Sequence, residues 1–261
     1  MKKNFFANIK NHYKYAIYQA KAELKSEIAN SYLSWIWWIL DPLFYMLIYT
    51  FVVQVVFKSN QPGFPVFVFI GLTANDFFSR MLSNSVKTVK NNIGIVNKVY
   101  VPKYVFLLSK SFVFLFKFMI SFALILILMI VFRIPYTFQM LNFPLIMLSL
   151  YSVSFGIGTI LLHFGVFVED LANIIAIVLR MLFYFSGIFY DIGARIPKPF
   201  STILLIFNPI AAIIHQFRKS FFYGVFPNYI LLLIWFVIGV ILSVIGITLI
   251  HKYEDSYAKI A

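Results

Sequence analysis

Long continuous apolar runs dominate this chain, and they restrict what it can fold into more than any other feature. A membrane-spanning helix needs about twenty mostly apolar residues. Six stretches meet that description: 36–57, 65–86, 106–132, 144–166, 173–190 and 228–250. The second and fifth carry polar residues among the apolar ones. Of 261 residues, 62% are hydrophobic and only 12% charged. A soluble domain carries roughly 25% charged residues, so this chain has too little polar surface to cover a water-soluble globule. Closed β-barrels are the other architecture that satisfies its own backbone in lipid, but they read as short alternating segments. The expectation is an all-α membrane protein with six transmembrane helices in a single domain. Residues 1–35 form a leading segment, 36–261 the six-span unit, and 191–227 an outer segment between spans five and six.

The distribution of basic residues predicts the orientation. The formal net charge is +13, and in a membrane protein such an excess reads first as topology and lipid contact. The leading segment, the region 80–110 and the C-terminal tail together hold fourteen of the 22 Lys and Arg; the opposite loops hold six. The basic side is expected to be cytoplasmic, with both termini on it. The first long apolar run starts only near Ile36, so no cleavable leader is expected.

Residues 1–35 are amphipathic. At 100° per residue Phe5, Ile9, Tyr13, Ala16, Ala20 and Leu24 share one face, and Lys3, Lys10, Lys14, Lys21 and Lys25 form a stripe beside it. That pattern predicts a helix lying on the cytoplasmic leaflet, with Lys10, Lys14 and Lys21 against anionic head groups. The outer segment 191–227 is too short and broken for two more spans. Its apolar part is interrupted by Asn208-Pro209, which predicts short re-entrant or interfacial helices.

No catalytic motif is present. The chain lacks the Gly-x4-Gly-Lys-Ser/Thr phosphate cradle, so it does not hold a nucleotide in that way, and it lacks the His-Glu-x2-His and Gly-x-Ser-x-Gly motifs. His12, His163, His215 and His251 have no metal-ligand spacing, and there is no cysteine for a disulfide, a thiolate or a metal. The adjacent carboxylates Glu169-Asp170 and Glu254-Asp255 read as solvated loop charges.

The polar residues inside the spans are more informative. Thr73, Asp76, Arg80, Ser83 and Lys87 recur every three or four residues, one polar stripe down an apolar helix. Asp76 falls roughly 16 Å into its span at 1.5 Å per residue, where a charge is costly unless paired or wetted. The stripe reads either as a buried i,i+4 pair between Asp76 and Arg80, or as a face lining a water-filled passage or a subunit seam. In the fifth span Asn173, Arg180, Tyr184, Gly187 and Asp191 share a face, and Arg180 reads as a head-group contact or as a partner for Asp76. Lys103, Lys110 and Lys117 share a face by heptad spacing, the first two as snorkelling residues. Ser154 and Gly158 make a small-xxx-small pair for close helix packing. Polar stripes in two spans and the lack of a catalytic cluster favour transport over chemistry. A channel, a gradient-driven carrier and a pump with a separate motor subunit all fit.

The order of motifs resembles the membrane subunit of the type-two ABC exporters of polysaccharides and teichoic acids. WIWWILDPLFYMLIYTFVV is similar to that family's Trp-rich first span, and FIGLTANDFF to the start of its second. NNIGIVNKVYVPKY resembles its cytoplasmic signature of asparagine, basic residue, aromatic and proline. FVEDLANI, FSGIFYDIGARIP and FNPIAAIIHQFRKSFF resemble the segments around its fifth span. Three departures stand out: Glu169-Asp170 where the family often has Arg-Asp, Ser186-Gly187 where it has Ser-Pro, and Asp41-Pro42 where it has its first Asn-Pro.

The resemblance implies a homodimer around a central conduit, with two copies of a separate ATPase that binds ATP and Mg, and no cofactor in this chain. It implies export of a polyprenyl-diphosphate-linked polysaccharide of O-antigen, capsule or teichoic acid type across the cytoplasmic membrane of a bacterium or archaeon. Asn97, Lys98, Tyr100, Pro102, Glu169 and Asp170 would then contact the ATPase. Tyr190, Asn208 and Pro209 would belong to an outer gate, and Thr73, Asp76, Arg80, Asn173, Arg180 and Tyr184 to the substrate pathway. The alternatives are the same machine with a drug or lipid cargo, and a channel or carrier that needs no ATPase.

Overall fold

The computed structural model describes residues 5–29, 33–58, 61–96 and 101–260 of the chain. The described residues are helical, with no strand among them. The helices are α1 Phe5–Ala29, α2 Ser34–Thr50, α3 Phe64–Asn91, α4 Ile93–Val96, α5 Tyr104–Val131, α6 Phe143–Phe167, α7 Leu171–Phe185, α8 Ile192–Arg195, α9 Phe200–Phe207, α10 Pro209–Phe221 and α11 Tyr229–Ile260. A π-helical turn, Phe51–Val56, continues α2, and a 3-10 turn, Phe138–Asn142, leads into α6.

Four stretches are long and apolar enough to cross a bilayer: Trp35–Val56, Tyr104–Val131, Phe138–Phe167 and Tyr229–Tyr253. They coincide with the first, third, fourth and sixth expected spans. The other two differ for separate reasons. Helix α3 has 28 residues, about 42 Å at 1.5 Å per residue, but its polar stripe lowers its apolar character. Helix α7 has 15 residues, about 22 Å, less than the roughly 30 Å of a hydrocarbon core. It stops short of residue 190 because Gly187 takes a left-handed backbone (φ +67°), which no continuing helix accepts. Gly187 and Asp191 therefore do not share the wheel of Asn173, Arg180 and Tyr184.

The 3.6-residue period of α3 determines its central place. Phe64, Val66, Phe67, Val68, Phe69 and Ile70 are all fully buried, so its first turns are apolar all round, as expected of a helix enclosed by protein. It touches α2, α5, α6, α7 and α10.

Small residues on α6 bring two neighbours unusually close. A Cβ added to Gly156 would strike the carbonyl oxygen of Gly239, and one on Gly246 would strike Thr159, so α6 and α11 meet almost backbone to backbone. A Cβ on Gly165 would strike the Val86 carbonyl of α3, and one on Gly158 would lie 2.6 Å from Ser85 Oγ. Gly158 is thus a packing residue, with α3 as the partner of its face. Without a hydrophobic drive between helices in lipid, such close approach is a principal source of association.

Helix α1 lies along the first half of α5. His12 bonds Tyr104, Lys110 pairs with Glu23, and Lys117 Nζ sits 2.7 Å from Glu27 Oε2. Both helices advance in the same direction through these contacts. Ala16 and Ala20, expected on the lipid-facing side, are buried, and α1 packs chiefly on α5. Lys110, expected to snorkel, holds a carboxylate instead, and Lys103 is buried.

Chain ends gather at one end of the bundle. Tyr104, at the start of α5, touches His12 of α1 and His251 of α11, and His163, near the end of α6, bonds the Tyr257 hydroxyl. At the opposite end Tyr229 Oη donates to Asn142 Oδ1, joining the starts of α6 and α11. There α9 and α10 form a pair bent by 96°. The bend falls at Asn208, whose Oδ1 accepts from the Ile210 and Ala211 amides while Pro209 opens α10. This is the usual chemistry of a helix start. The pair is either a broken span or a re-entrant loop.

Candidate functional site

A cleft of about 340 Å³ opens between α2, α3, α5 and α7. Helix α2 brings Trp37, Trp38, Asp41, Tyr45 and Tyr49 to it because its sequence places an aromatic or acidic residue every three to four positions. Helix α3 brings Thr73, Asn75, Asp76 and Arg80, and α5 brings Lys117. Of the expected α3 stripe, Thr73, Asp76 and Arg80 open onto this cavity, and Ser83 and Lys87 do not line it.

Each cation of the cleft has a carboxylate. Arg80 Nε donates to Asp76 Oδ2 at 2.7 Å, with both side chains about half exposed. Asp76 is therefore paired along its own helix, and the expected alternative of an Asp76–Arg180 bridge is not made. Lys117 pairs with Glu27, and the same carboxylate accepts from the Trp38 indole at 3.1 Å. Asp41 adds a further carboxylate to the wall.

Thr73 Oγ1 and Asn75 Oδ1, on two residues that line the cleft, are shielded from solvent and have no hydrogen-bond partner among the described residues.

Of the six residues expected on a substrate pathway, Thr73, Asp76 and Arg80 line the cleft. Asn173, Arg180 and Tyr184 lie exposed on α7 and do not line it. Tyr184 instead sits beside the turn after α7, where its carbonyl accepts from the Tyr190 hydroxyl at 2.9 Å. Asn208 Nδ2 donates to Ser186 Oγ at 3.1 Å, so the start of α10 and the turn after α7 form one assembly.

Arg218 organises that assembly. It is 3% exposed, lies against the Phe67 ring and donates to the carbonyls of Phe67, Gly187 and Ile188 at 3.1, 2.6 and 2.7 Å. Gly71 gives it room, since a Cβ there would lie 2.8 Å from Arg218 Nη2. Tyr223 Oη donates to Asp191 Oδ2 at 2.7 Å. Burial raises the Asp191 pKa, but the Tyr223 bond and the nearby His215, Gly193 amide and Arg218 outweigh it and hold the carboxyl below its ordinary value. Burial, and then Asp191, push the Tyr223 phenol up.

Nothing in the sequence of the segment 191–227 marks Arg218 for this role, because the carbonyls it holds lie 28 to 151 positions away. The Glu27–Lys117 pair was also missed, because its members are 90 positions apart.

The remaining expected residues are dispersed. Glu169 and Asp170 are exposed in the turn between α6 and α7, and the Asp170 carbonyl accepts from Asn173 and Ile174 at the start of α7. Pro102 is buried just before α5. Asn97, Lys98 and Tyr100 lie outside the described residues, as does the side chain of Lys10. Lys14 and Lys21 are exposed on α1. Among the described residues no group of three or more His, Cys, Asp or Glu comes together.

The fold and cleft define a multi-pass membrane protein with an internal cleft whose wall is aromatic and polar. The chain belongs to the ABC-2 type transporter family, whose sequence profile matches residues 18–222. It is 28% identical over 239 residues to the O-antigen export system permease protein RfbA of Klebsiella pneumoniae, covering 91% of each chain. It is 24% identical over 237 residues to the protein of the same name from Myxococcus xanthus, again covering 91% of each. To the polysialic acid transport protein KpsM of Escherichia coli it is 27% identical over 214 residues, 80% of each chain.

Proposed function

We propose that this chain is the membrane-spanning subunit of an ATP-driven exporter that moves a lipid-linked polysaccharide outward across the cytoplasmic membrane. The observation that carries the reading is the likeness to O-antigen export permeases over nine-tenths of both chains. The cleft supports it, because its aromatic and hydroxyl-bearing wall suits a polar, ring-bearing cargo.

In this reading α3 and α7 complete six spans within a homodimer, and both termini lie in the cytoplasm. The short α7 and the polar α3 are tolerated because other helices, and not lipid alone, surround them. Two copies of a separate ATPase, carrying ATP and Mg, dock on the cytoplasmic side against the loop of Asn97, Lys98, Tyr100 and Pro102 and the turn of Glu169 and Asp170. Closure of the ATPases moves these loops, and the α5 and α7 helices that begin at them carry the displacement to the cleft. Lys10, Lys14 and Lys21 attract the diphosphate of the carrier lipid. The bent pair at Asn208-Pro209, with Tyr190, closes the outer end.

The test is co-expression with the ATPase encoded beside it. A stable two-plus-two complex, and loss of surface polysaccharide when this chain is deleted, are expected. A chain that purifies alone and moves solute through vesicles without ATP would be a channel or carrier, and the proposal would fall.

A further inference from the structure

From the charges inside the spans we infer that Arg180 of one copy pairs with Asp41 of the partner subunit, so that α7 of each copy lies against the cleft of the other. The inference rests on the homodimer of the export reading and deepens it, by naming the residues through which the two copies complete each other.

A charge inside an apolar span is costly unless it is paired or wetted. Most such charges here are paired within one copy. Arg80 holds Asp76, Lys110 holds Glu23 and Lys117 holds Glu27. Asp41 in α2 and Arg180 in α7 are left over. Both are exposed, and neither makes a salt bridge or a hydrogen bond among the described residues. They are opposite in sign and one of each stands on every copy, so a second copy supplies what each lacks.

Lipid is a poor partner for Arg180. It follows the first residue of α7 by nine positions, about 13 Å along the axis. The other end of α7 is covered by α10, through Asn208 on Ser186 and Arg218 on the Gly187 carbonyl. The guanidinium is therefore far from the phosphates of both leaflets, and snorkelling gives it little relief. Its neighbours also suit protein. At 100° per residue the exposed surface of α7 divides in two. Ile174, Ile177, Met181 and Phe185 form an apolar side; Asn173, Ala176, Arg180 and Tyr184 form a polar one. The polar side adjoins Phe183, which lines the cleft.

The depths agree. Tyr49 of α2 packs on Phe183 and Phe189, with ring centroids 5.9 and 4.4 Å apart. Asp41 comes eight positions before Tyr49, and Arg180 three before Phe183. The two charges thus differ in depth by about 7 Å, which a long arginine and an aspartate together span. A twofold axis along the membrane normal preserves depth and makes the contact twice, α7 on α2 and α2 on α7. Of the four long spans α2 is the least covered within one copy, and Asp41 opens onto the cleft.

The experiment uses the full chain co-expressed with the ATPase encoded beside it. The chain has no cysteine, so Asp41→Cys and Arg180→Cys in one chain can be joined by a short bismaleimide in native membranes. A disulfide is too short for residues that stand an arginine's length apart. The expected product is a covalent dimer on a denaturing gel, about ten-fold more abundant than with either cysteine alone. A link closed within one copy, or no link, would overturn the inference. The second measurement exchanges the charges. Asp41→Arg and Arg180→Asp should each lower the dimer recovered in mild detergent about ten-fold, and the two together should restore it to within about two-fold. A residue needed only for packing gives no such rescue. Equal loss in the single and double variants would overturn the pairing. So would an unchanged dimer in Asp41→Arg together with full function of Arg180→Lys, which would mean that Arg180 serves a lipid phosphate. If one of these occurs while deletion of the chain still abolishes surface polysaccharide, only the pairing fails. If surface polysaccharide persists after deletion, the export reading fails.

Discussion

The guanidinium carbon of Arg218 lies 3.4 Å from the centre of the Phe67 ring, so a cation of α10 is seated on an aromatic face of α3. The same group donates to the carbonyls of Gly187 and Ile188, beyond the end of α7. Three segments far apart in sequence therefore meet at one side chain. Replacement by methionine keeps much of the volume but leaves those carbonyls without donors. Arg218→Met is expected to destabilise the fold by about 3 kcal/mol, read as a lower melting temperature of the purified protein in detergent. Arg218→Lys should recover only part, because an ammonium cannot stack as a plane and serve several carbonyls at once.

The seam between α6 and α11 gives a second prediction. Gly156 and Gly239 face each other with no space for a Cβ. Gly156→Val forces the helices apart and should cost about 1–3 kcal/mol or more, with a matching loss of folded protein by size-exclusion chromatography. Gly94, which has nothing within 4 Å of an added Cβ, is the control, and Gly94→Ala should leave the yield unchanged.

Glu27 and Lys117 supply a third. Lys117 sits within an otherwise apolar stretch of α5, and Glu27 is its partner at 2.7 Å. Glu27→Gln and Lys117→Gln should each destabilise, and the double variant should lose less than the sum of the two. A coupling of about 1 kcal/mol is expected from the cycle, measured by chemical or thermal unfolding. Simple additivity would mean that the pair contributes nothing.

The Asp191–Tyr223 contact should respond to pH at its extremes and not between them. Asp191 titrates below its ordinary value of 3.8. A depressed carboxyl contributes stability above its unfolded pKa and loses it as pH falls through the folded one. Tyr223 titrates above its ordinary 10.0, so its share is present below that value and lost only as pH rises through the folded pKa. Melting temperature should therefore be flat with respect to this pair between about 4 and 10. In Tyr223→Phe the loss of stability on acidification should be smaller, because Asp191 loses the bond that holds its folded pKa below its unfolded one.

Much of this arrangement was legible in the chain. The apolar runs located four spans within a few residues, since burial in lipid needs little more than length and composition. Asn208-Pro209 announced a break, and it became the start of α10 for ordinary capping reasons. The α3 stripe pointed to a cavity, because a costly polar row in an apolar helix needs somewhere to face. Other features depended on partners remote in sequence. Nothing around Lys117 indicates Glu27, and nothing around Arg218 indicates the carbonyls it holds. Asn173, Arg180 and Tyr184 share a helical face with the regularity of a functional row, yet that face of α7 turns away from the cleft. Periodicity states which residues point together; only packing states toward what.

Two ion pairs join α1 to α5, with Glu23 and Glu27 four residues apart on one helix and Lys110 and Lys117 seven apart on the other. One such pair would leave α1 able to swivel about it. Two, set about 6 Å apart along α1, fix both its sliding position and its rotation, so the helix behaves as a keyed shaft. Through Glu27, that setting also fixes where Trp38 and Lys117 stand on the wall of the cleft.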